Sequence, residues 1–79
     1  MNPIRTVNVL DINDFADMSI ESMASYPDTP EGNKAAEAKF LEWAEEADAL
    51  FDKKEADDAL DGGIYEIGSG GIIITHSTE

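Results

Sequence analysis

The sequence predicts an α+β domain in which two to three helices pack on one face of a small three-stranded antiparallel sheet, in the order β-α-α-(α)-β-β. Three observations carry that prediction. Branched apolar residues alternate with polar ones around Val7 and Val9, a long segment centred on Trp43 repeats apolar residues at helical spacing, and two isoleucine-bearing runs flank Gly68-Ser69-Gly70-Gly71. A chain of 79 residues is expected to form one domain, residues 1–79, with a core small enough to leave a thin stability margin.

The first strand is predicted over residues 3–10. Ile4, Thr6 and Asn8 point to one side, Arg5, Val7 and Val9 to the other, and Leu10 anchors the exit. Residues 11–25 then predict a helix. Asp11 or Asn13 can accept the free N–H groups of a first turn, and Ile12, Phe15, Ala16, Ile20 and Met23 gather on one side. Asp14, Asp17 and Glu21 fall on the opposite side at i, i+3, i+7, a spacing at which like charges weaken a helix slightly. Tyr26-Pro27 is expected to end this helix, because the residue before proline is pushed out of the α region.

Thr29 is a good N-cap for the next helix, with Pro30 at its first position and Glu31 in its first turn, where a negative charge is favourable. Gly32 and Asn33 are expected to weaken that turn. From residue 34 to residue 51 the apolar stripe Ala36, Phe40, Trp43, Ala44, Ala47, Leu50 and Phe51 faces a core. Glu37, Glu42, Glu45, Glu46, Asp48 and Asp52 lie outside it, and Leu41 falls on the polar side, either incidentally or as contact surface. A break near Asp52 and a short helix over 53–60 follow, since Asp52-x-x-Glu55 has the form of a capping box. Ala56, Ala59 and Leu60 would then face inward, Asp57, Asp58 and Asp61 outward, with Gly62-Gly63 as the stop. Residues 63–76 predict a hairpin with arms 64–67 and 72–76 and a turn at 68–71, before a tail at 77–79.

Charge is the outlying property. Eighteen acids against five bases give a net charge of −13 at pH 7. Direct binding to DNA, RNA or an anionic membrane is disfavoured, because phosphates are repelled. Disorder is disfavoured by 42% apolar residues in regular periods. Adaptation to high salt fits poorly, since four of the five bases are lysines. The composition that remains suits a protein that meets a basic surface on another protein. Absence of cysteine excludes disulfides and thiolate ligands, and no run approaches the roughly 20 apolar residues of a membrane span. The N-terminal MNPIRTVNVLDIND lacks the apolar core of a signal peptide, so the expected compartment is the cytoplasm.

No constellation in the sequence points to catalysis. His76 is the sole histidine and sits near the end, with Thr75, Ser77 and Thr78 as its neighbouring hydroxyls. Among eighteen acids some pair falls at any chosen separation, so carboxylate pairs carry no signal for glycoside cleavage. Asp11-Ile12-Asn13-Asp14 begins like a calcium loop, but Phe15, Ala16 and Ser22 stand where Asp or Asn, Gly and Glu are required. Gly68-Ser69-Gly70-Gly71 leads into a strand rather than a helix, which suits a hairpin turn better than a phosphate loop. The expectation is a non-enzyme without cofactor or metal.

The acid pattern itself admits a structural reading, a solvated helix face, and a functional one. Duplex DNA presents about one charge per 1.7 Å of axis, and a helix rises about 1.5 Å per residue. A line running Glu45, Asp48, Asp52 and on to Asp57 and Asp58 therefore matches phosphate spacing loosely. With Asp14, Asp17, Glu21 and Glu42, these residues give the whole chain a likeness in charge and size. The chain resembles the small acidic inhibitors that bacteriophages and mobile elements direct against host nucleic-acid enzymes: DNA-mimic antirestriction proteins, uracil-DNA glycosylase inhibitors and several anti-CRISPR proteins. That resemblance implies a host nucleic-acid-binding or defence protein as partner, met in the host cytoplasm through Asp14, Asp17, Glu21, Glu42, Glu45, Asp48, Asp52, Asp57 and Asp58. The alternative is a small assembly module, including a homodimer, joined by an apolar contact in which Ile72–Ile74 pairs at an exposed strand edge.

Overall fold

Four strands and two helices make up the computed structural model, which describes residues 5–78. Chain order is β1 (Arg5–Asp14), β2 (Ser19–Pro27), α1 (Pro30–Ala47), α2 (Lys53–Gly62), β3 (Ile64–Ile67) and β4 (Gly70–Thr78). The strands form one antiparallel sheet in the order β2-β1-β4-β3. The α+β class, the sheet covered by helices and the pairing of the first strand with the C-terminal hairpin match the sequence reading. The expected positions of Pro3, Ile4 and Glu79 lie outside the described residues.

The predicted helix over 11–25 is instead the end of β1, a turn and most of β2, two paired strands of a β-hairpin, so the sheet has four strands and not three. Strand β1 continues to Asp14, and β2 pairs with it from Thr6↔Pro27 to Asp14↔Ser19, with irregularities beside Ile12. The connecting turn contains neither Gly nor Pro. Asp14 accepts from the Ala16 amide, Asp17 accepts from the Ser19 amide and hydroxyl, and Met18 takes a positive φ of 55°. Aspartate side chains thus supply the turn geometry that glycine usually supplies. Ile12 and Ile20, which a helical period placed on one side, do share a side, but as directly paired residues of two strands.

Helix α1 begins as predicted. Thr29 caps it by accepting from the Gly32 amide at 3.0 Å, and Pro30 follows. The residues expected to weaken the first turn support it. Asn33 donates to Asp28 Oδ1 at 2.7 Å and to the Thr29 carbonyl at 2.9 Å. Gly32 is buried, and a side chain there would collide with the Pro27 carbonyl. The helix ends at Ala47, earlier than the expected 51. Asp48 turns extended, accepts from the Leu50 amide at 2.9 Å and from the Tyr65 hydroxyl at 2.6 Å, and so draws the chain out of the helix. Ala47 is consequently exposed, and Leu50 and Phe51 belong to the connection rather than to the stripe. Helix α2 starts at the predicted cap: Asp52 accepts from the amides of Lys54 and Glu55. It stops at Gly63, whose φ of 77° is the left-handed conformation glycine tolerates.

The core lies between the helices and one sheet face. Val7, Val9, Ala36, Phe40, Ala44, Ala56, Tyr65 and Ile72 are buried together, and Trp43, Phe51, Leu60 and Ile74 pack around them. Strand β4 is interior, paired to β1 on one side and β3 on the other, and Ile72 is fully buried. The expected pairing of Ile72–Ile74 at an exposed edge is therefore corrected. The backbone at Ser77 and Thr78, expected to fray, belongs to this strand.

Residues directly opposite across a ladder share a face, and successive residues alternate. On the face away from the helices the ladders align Met23, Leu10, Ile73 and Ile64 in one row across all four strands. None of these four belongs to the core cluster.

Candidate functional site

Outward-facing carboxylates are concentrated on the helix layer. Residues 30–62 carry eleven acids and four lysines, and neither helix has a basic residue in its last turn to offset the negative end of its dipole. Two ion pairs occur among the described residues, Lys39–Glu42 at 2.8 Å and Lys53–Asp57 at 3.2 Å, both exposed and of the kind that contributes little to stability. Lys39 also sits 5.9 Å from the ring centre of Trp43. Its ammonium is held above its ordinary pKa by the hydrogen bond to Glu42.

Where α1, the connection and α2 meet, an open groove of about 390 Å³ is lined by Ala38, Leu41, Glu42, Glu45, Phe51 and Lys53. Its floor is apolar and two of the predicted acids stand beside it. Leu41, which the sequence left on the polar side of the helix, is half-buried here and packs against the core. Leu50 nearby in sequence is 89% exposed. The sequence missed Phe51 as groove lining because a single helix through residue 51 would have put it in the core stripe.

The nine predicted contact residues divide by what else they do. Asp48 and Asp52 hold the fold: Asp48 closes α1 and binds Tyr65, and Asp52 caps α2. The Tyr65 hydrogen bond holds the Asp48 carboxyl below its ordinary range, with the Leu50 amide adding to the effect. The same bond, with burial, pushes the Tyr65 hydroxyl up to about 12. Glu42 and Asp57 are each engaged by a lysine. Glu45 and Asp58 are exposed and form no hydrogen bond or ion pair among the described residues.

Asp14, Asp17 and Glu21 do not form a helical stripe. Asp14 ends β1, Asp17 sits in the turn, and Glu21 lies at the irregular stretch of β2. Of the three, Glu21 reaches the helix layer: with Asp11, Ala47 and Ile67 it lines a hollow of about 190 Å³ under the end of α1. Partial burial, and then the neighbouring Glu21, raise the Asp11 carboxyl above its ordinary range. The structure thus brings Glu21 beside the end of the six-residue helix-layer set, and leaves Asp14 and Asp17 at the hairpin tip.

His76 is exposed on β4, its Nε2 3.3 Å from Asn33 Oδ1. No group of three or more His, Asp or Glu side chains is arranged to hold a metal ion among the described residues. Among the described residues no helix is long and apolar enough to cross a membrane. No family model, curated protein or solved structure matches this chain.

Proposed function

We propose that this chain is a non-enzymatic inhibitor whose acidic helix layer occupies the basic nucleic-acid-binding surface of a host processing or defence protein. The observation that carries the reading is the charge of that layer, eleven carboxylates against four lysines over residues 30–62, with most of it turned to solvent. Carboxylates at Glu42, Glu45, Asp57 and Asp58 pair with the Lys and Arg side chains that otherwise hold phosphates, and nucleic acid is displaced by occlusion. The groove beside Glu42 and Glu45 accepts an apolar side chain flanked by those cations, which gives the contact a desolvated centre inside a charged rim. Opposite charge speeds encounter and makes it sensitive to salt.

Glu45 and Asp58 are the residues with which to test this reading, because changing them leaves every cap and ion pair intact. Proteins captured from host lysate on the immobilised chain are assayed for release of labelled duplex DNA. The wild-type chain is expected to displace the DNA, less effectively at 0.5 M than at 0.05 M salt. The pair Glu45→Gln and Asp58→Asn together should weaken displacement about tenfold, as the loss of two charge-assisted contacts predicts. Equal displacement by wild type and variant, with the same salt dependence, sinks the role of this layer.

A further inference from the structure

The sheet face that the helices leave open is as poor in charge as the rest of the molecule is rich. Its central row, Met23–Leu10–Ile73–Ile64, crosses all four strands, and the next row adds Ile20 beside a buried Ile12. Met23 is 62% exposed, Ile20 54% and Ile64 51%. On the other side of the central row lie Ser25, Asn8 and Thr75, uncharged hydrogen-bonding residues. Glu66, opposite Gly71, and Asp14, opposite Ser19 at the hairpin end, are the charged residues among the paired positions of this face. In a chain with eighteen acids, a face of this size with acids only at its margins is selectively depleted of charge.

We infer that this face is the contact of a homodimer, in which two copies stack sheet on sheet with their acidic helix layers outermost. Charge selects this approach for a second copy, because it is the one that keeps the acidic layers apart. At −13 per chain, copies repel at every other approach. Face-to-face stacking sets the sheets about 10 Å apart and keeps the helix layers some 30 Å from each other, several screening lengths at physiological salt. The area suffices. Three strands with paired lengths near 25–30 Å and the four-residue β3, spaced about 4.8 Å apart, cover roughly 450–500 Å² per copy, or about 900–1,000 Å² in total, near the threshold of a specific interface. A two-fold axis midway between the two sheets, parallel to them and aligned with the apolar row, lays the row of one copy over that of the other, so the contact is self-complementary. Pairing at the strand edges is limited by the fold: β2 pairs regularly only from Ser22 to Pro27 and is irregular beside Ile20, and β3 has four residues.

Sedimentation equilibrium of the full chain between about 5 and 200 µM, at 0.05 and 0.5 M NaCl, reads the proposal directly. The expected result is a monomer–dimer equilibrium that tightens as salt rises, because screening removes repulsion between like-charged copies. That salt response is opposite in sign to the one expected for a basic partner, so the two readings fail separately. Met23→Glu, at a side chain already exposed in the monomer, is expected to weaken the dimer more than about tenfold, since the substitution appears twice in an apolar contact. Its circular dichroism is expected to match wild type, as is its melting at concentrations where both chains are monomeric. Met23→Ser is the second variant if the glutamate perturbs folding, and Glu45→Gln on the helix layer is the control that leaves dimerisation unchanged or tighter. A wild-type chain monomeric at 200 µM in both salts, or a folded Met23→Glu or Met23→Ser chain that dimerises as tightly as wild type, overturns the inference.

Discussion

Tyr65 on β3 donates its phenolic proton to Asp48 Oδ2 across 2.6 Å, joining the residue that ends α1 to the shortest strand of the sheet. Phe51 meets the same ring edge-on at 6.4 Å. Tyr65→Phe keeps the ring and removes one hydrogen bond to a carboxylate, so Tm is expected to fall by about 4–8 °C at pH 7. The pH dependence has a definite sign. Asp48 has its folded pKa lowered, so its contribution is present above the ordinary carboxylate pKa and is lost as pH falls through the depressed value. Tyr65 has its folded pKa raised to about 12, so its contribution is present below the ordinary phenol pKa and is lost as pH rises toward that value. Melting curves of both proteins from pH 2 to 11 should show a gap at neutral pH that closes at the acid end. A gap independent of pH would place the loss in packing instead.

Asp11 is a carboxylate that the fold tolerates at a cost. It faces the helix side, opposite Ile72 in the ladder, and shares a hollow with Glu21 and with Ala47 at the negative end of α1. Burial first, and Glu21 second, raise its folded pKa. The protonated form is therefore the better-tolerated one: the penalty is absent at low pH and grows as pH rises through the raised folded value. Asp11→Asn is expected to raise Tm by about 2–5 °C at pH 7 and to change it little at pH 3. A lower Tm for the variant at pH 7 would show that the carboxylate is stabilising where it stands.

The sequence was legible wherever one local rule settled the geometry. Thr29-Pro30 and Asp52-x-x-Glu55 fixed both helix starts, and Gly63 fixed a helix end. It was misleading where two periods coincide. Ile12, Ile20 and Met23 lie on one side of a 3.6-residue helix, and the same three residues lie on one face of a two-residue ladder once a turn intervenes. With no Gly or Pro between residues 14 and 19, nothing in the sequence announced that turn. The carboxylates were visible, but their duties were not. Asp48 and Asp52 read as part of an outward charge line, and only the folded chain shows them committed to Tyr65 and to the α2 amides. The open sheet face was hidden for the same reason as β2, because it exists only once the four strands are in register.

Gly32 and Gly62 make opposite predictions from the same substitution. A β-carbon at Gly32 meets the Pro27 carbonyl at less than van der Waals distance, and this backbone cannot yield without moving the start of α1 off β2. A β-carbon at Gly62 meets nothing within 4 Å, and this residue lies in the last turn of α2. Gly62→Ala is expected to stabilise the fold by about 0.5–1 kcal/mol through reduced freedom of the unfolded chain. Gly32→Ala is expected to destabilise by more than that, about 2 kcal/mol or greater, through overpacking. Urea melts of the two variants decide it, and a shared sign would contradict the contact.

Met18 holds the β1–β2 turn in a conformation that suits it badly. Its φ of 55° is left-handed, and the side chain is 52% exposed, so little packing compensates the strain. Asparagine tolerates this region through hydrogen bonds to its own backbone, and a β-branched residue does not. Met18→Asn is expected to raise stability by about 0.5–1 kcal/mol, and Met18→Val to lower it by about 1 kcal/mol or more. Because the turn is anchored by Asp14 and Asp17 on either side and by the Phe15 amide donating to the Ser69 carbonyl at 2.9 Å, the change stays local. Amide exchange should therefore slow at residues 15–19 in Met18→Asn and quicken there in Met18→Val, while the amides of α1 keep their rates. A valine variant as stable as wild type would mean that residue 18 is not held in the left-handed region in solution.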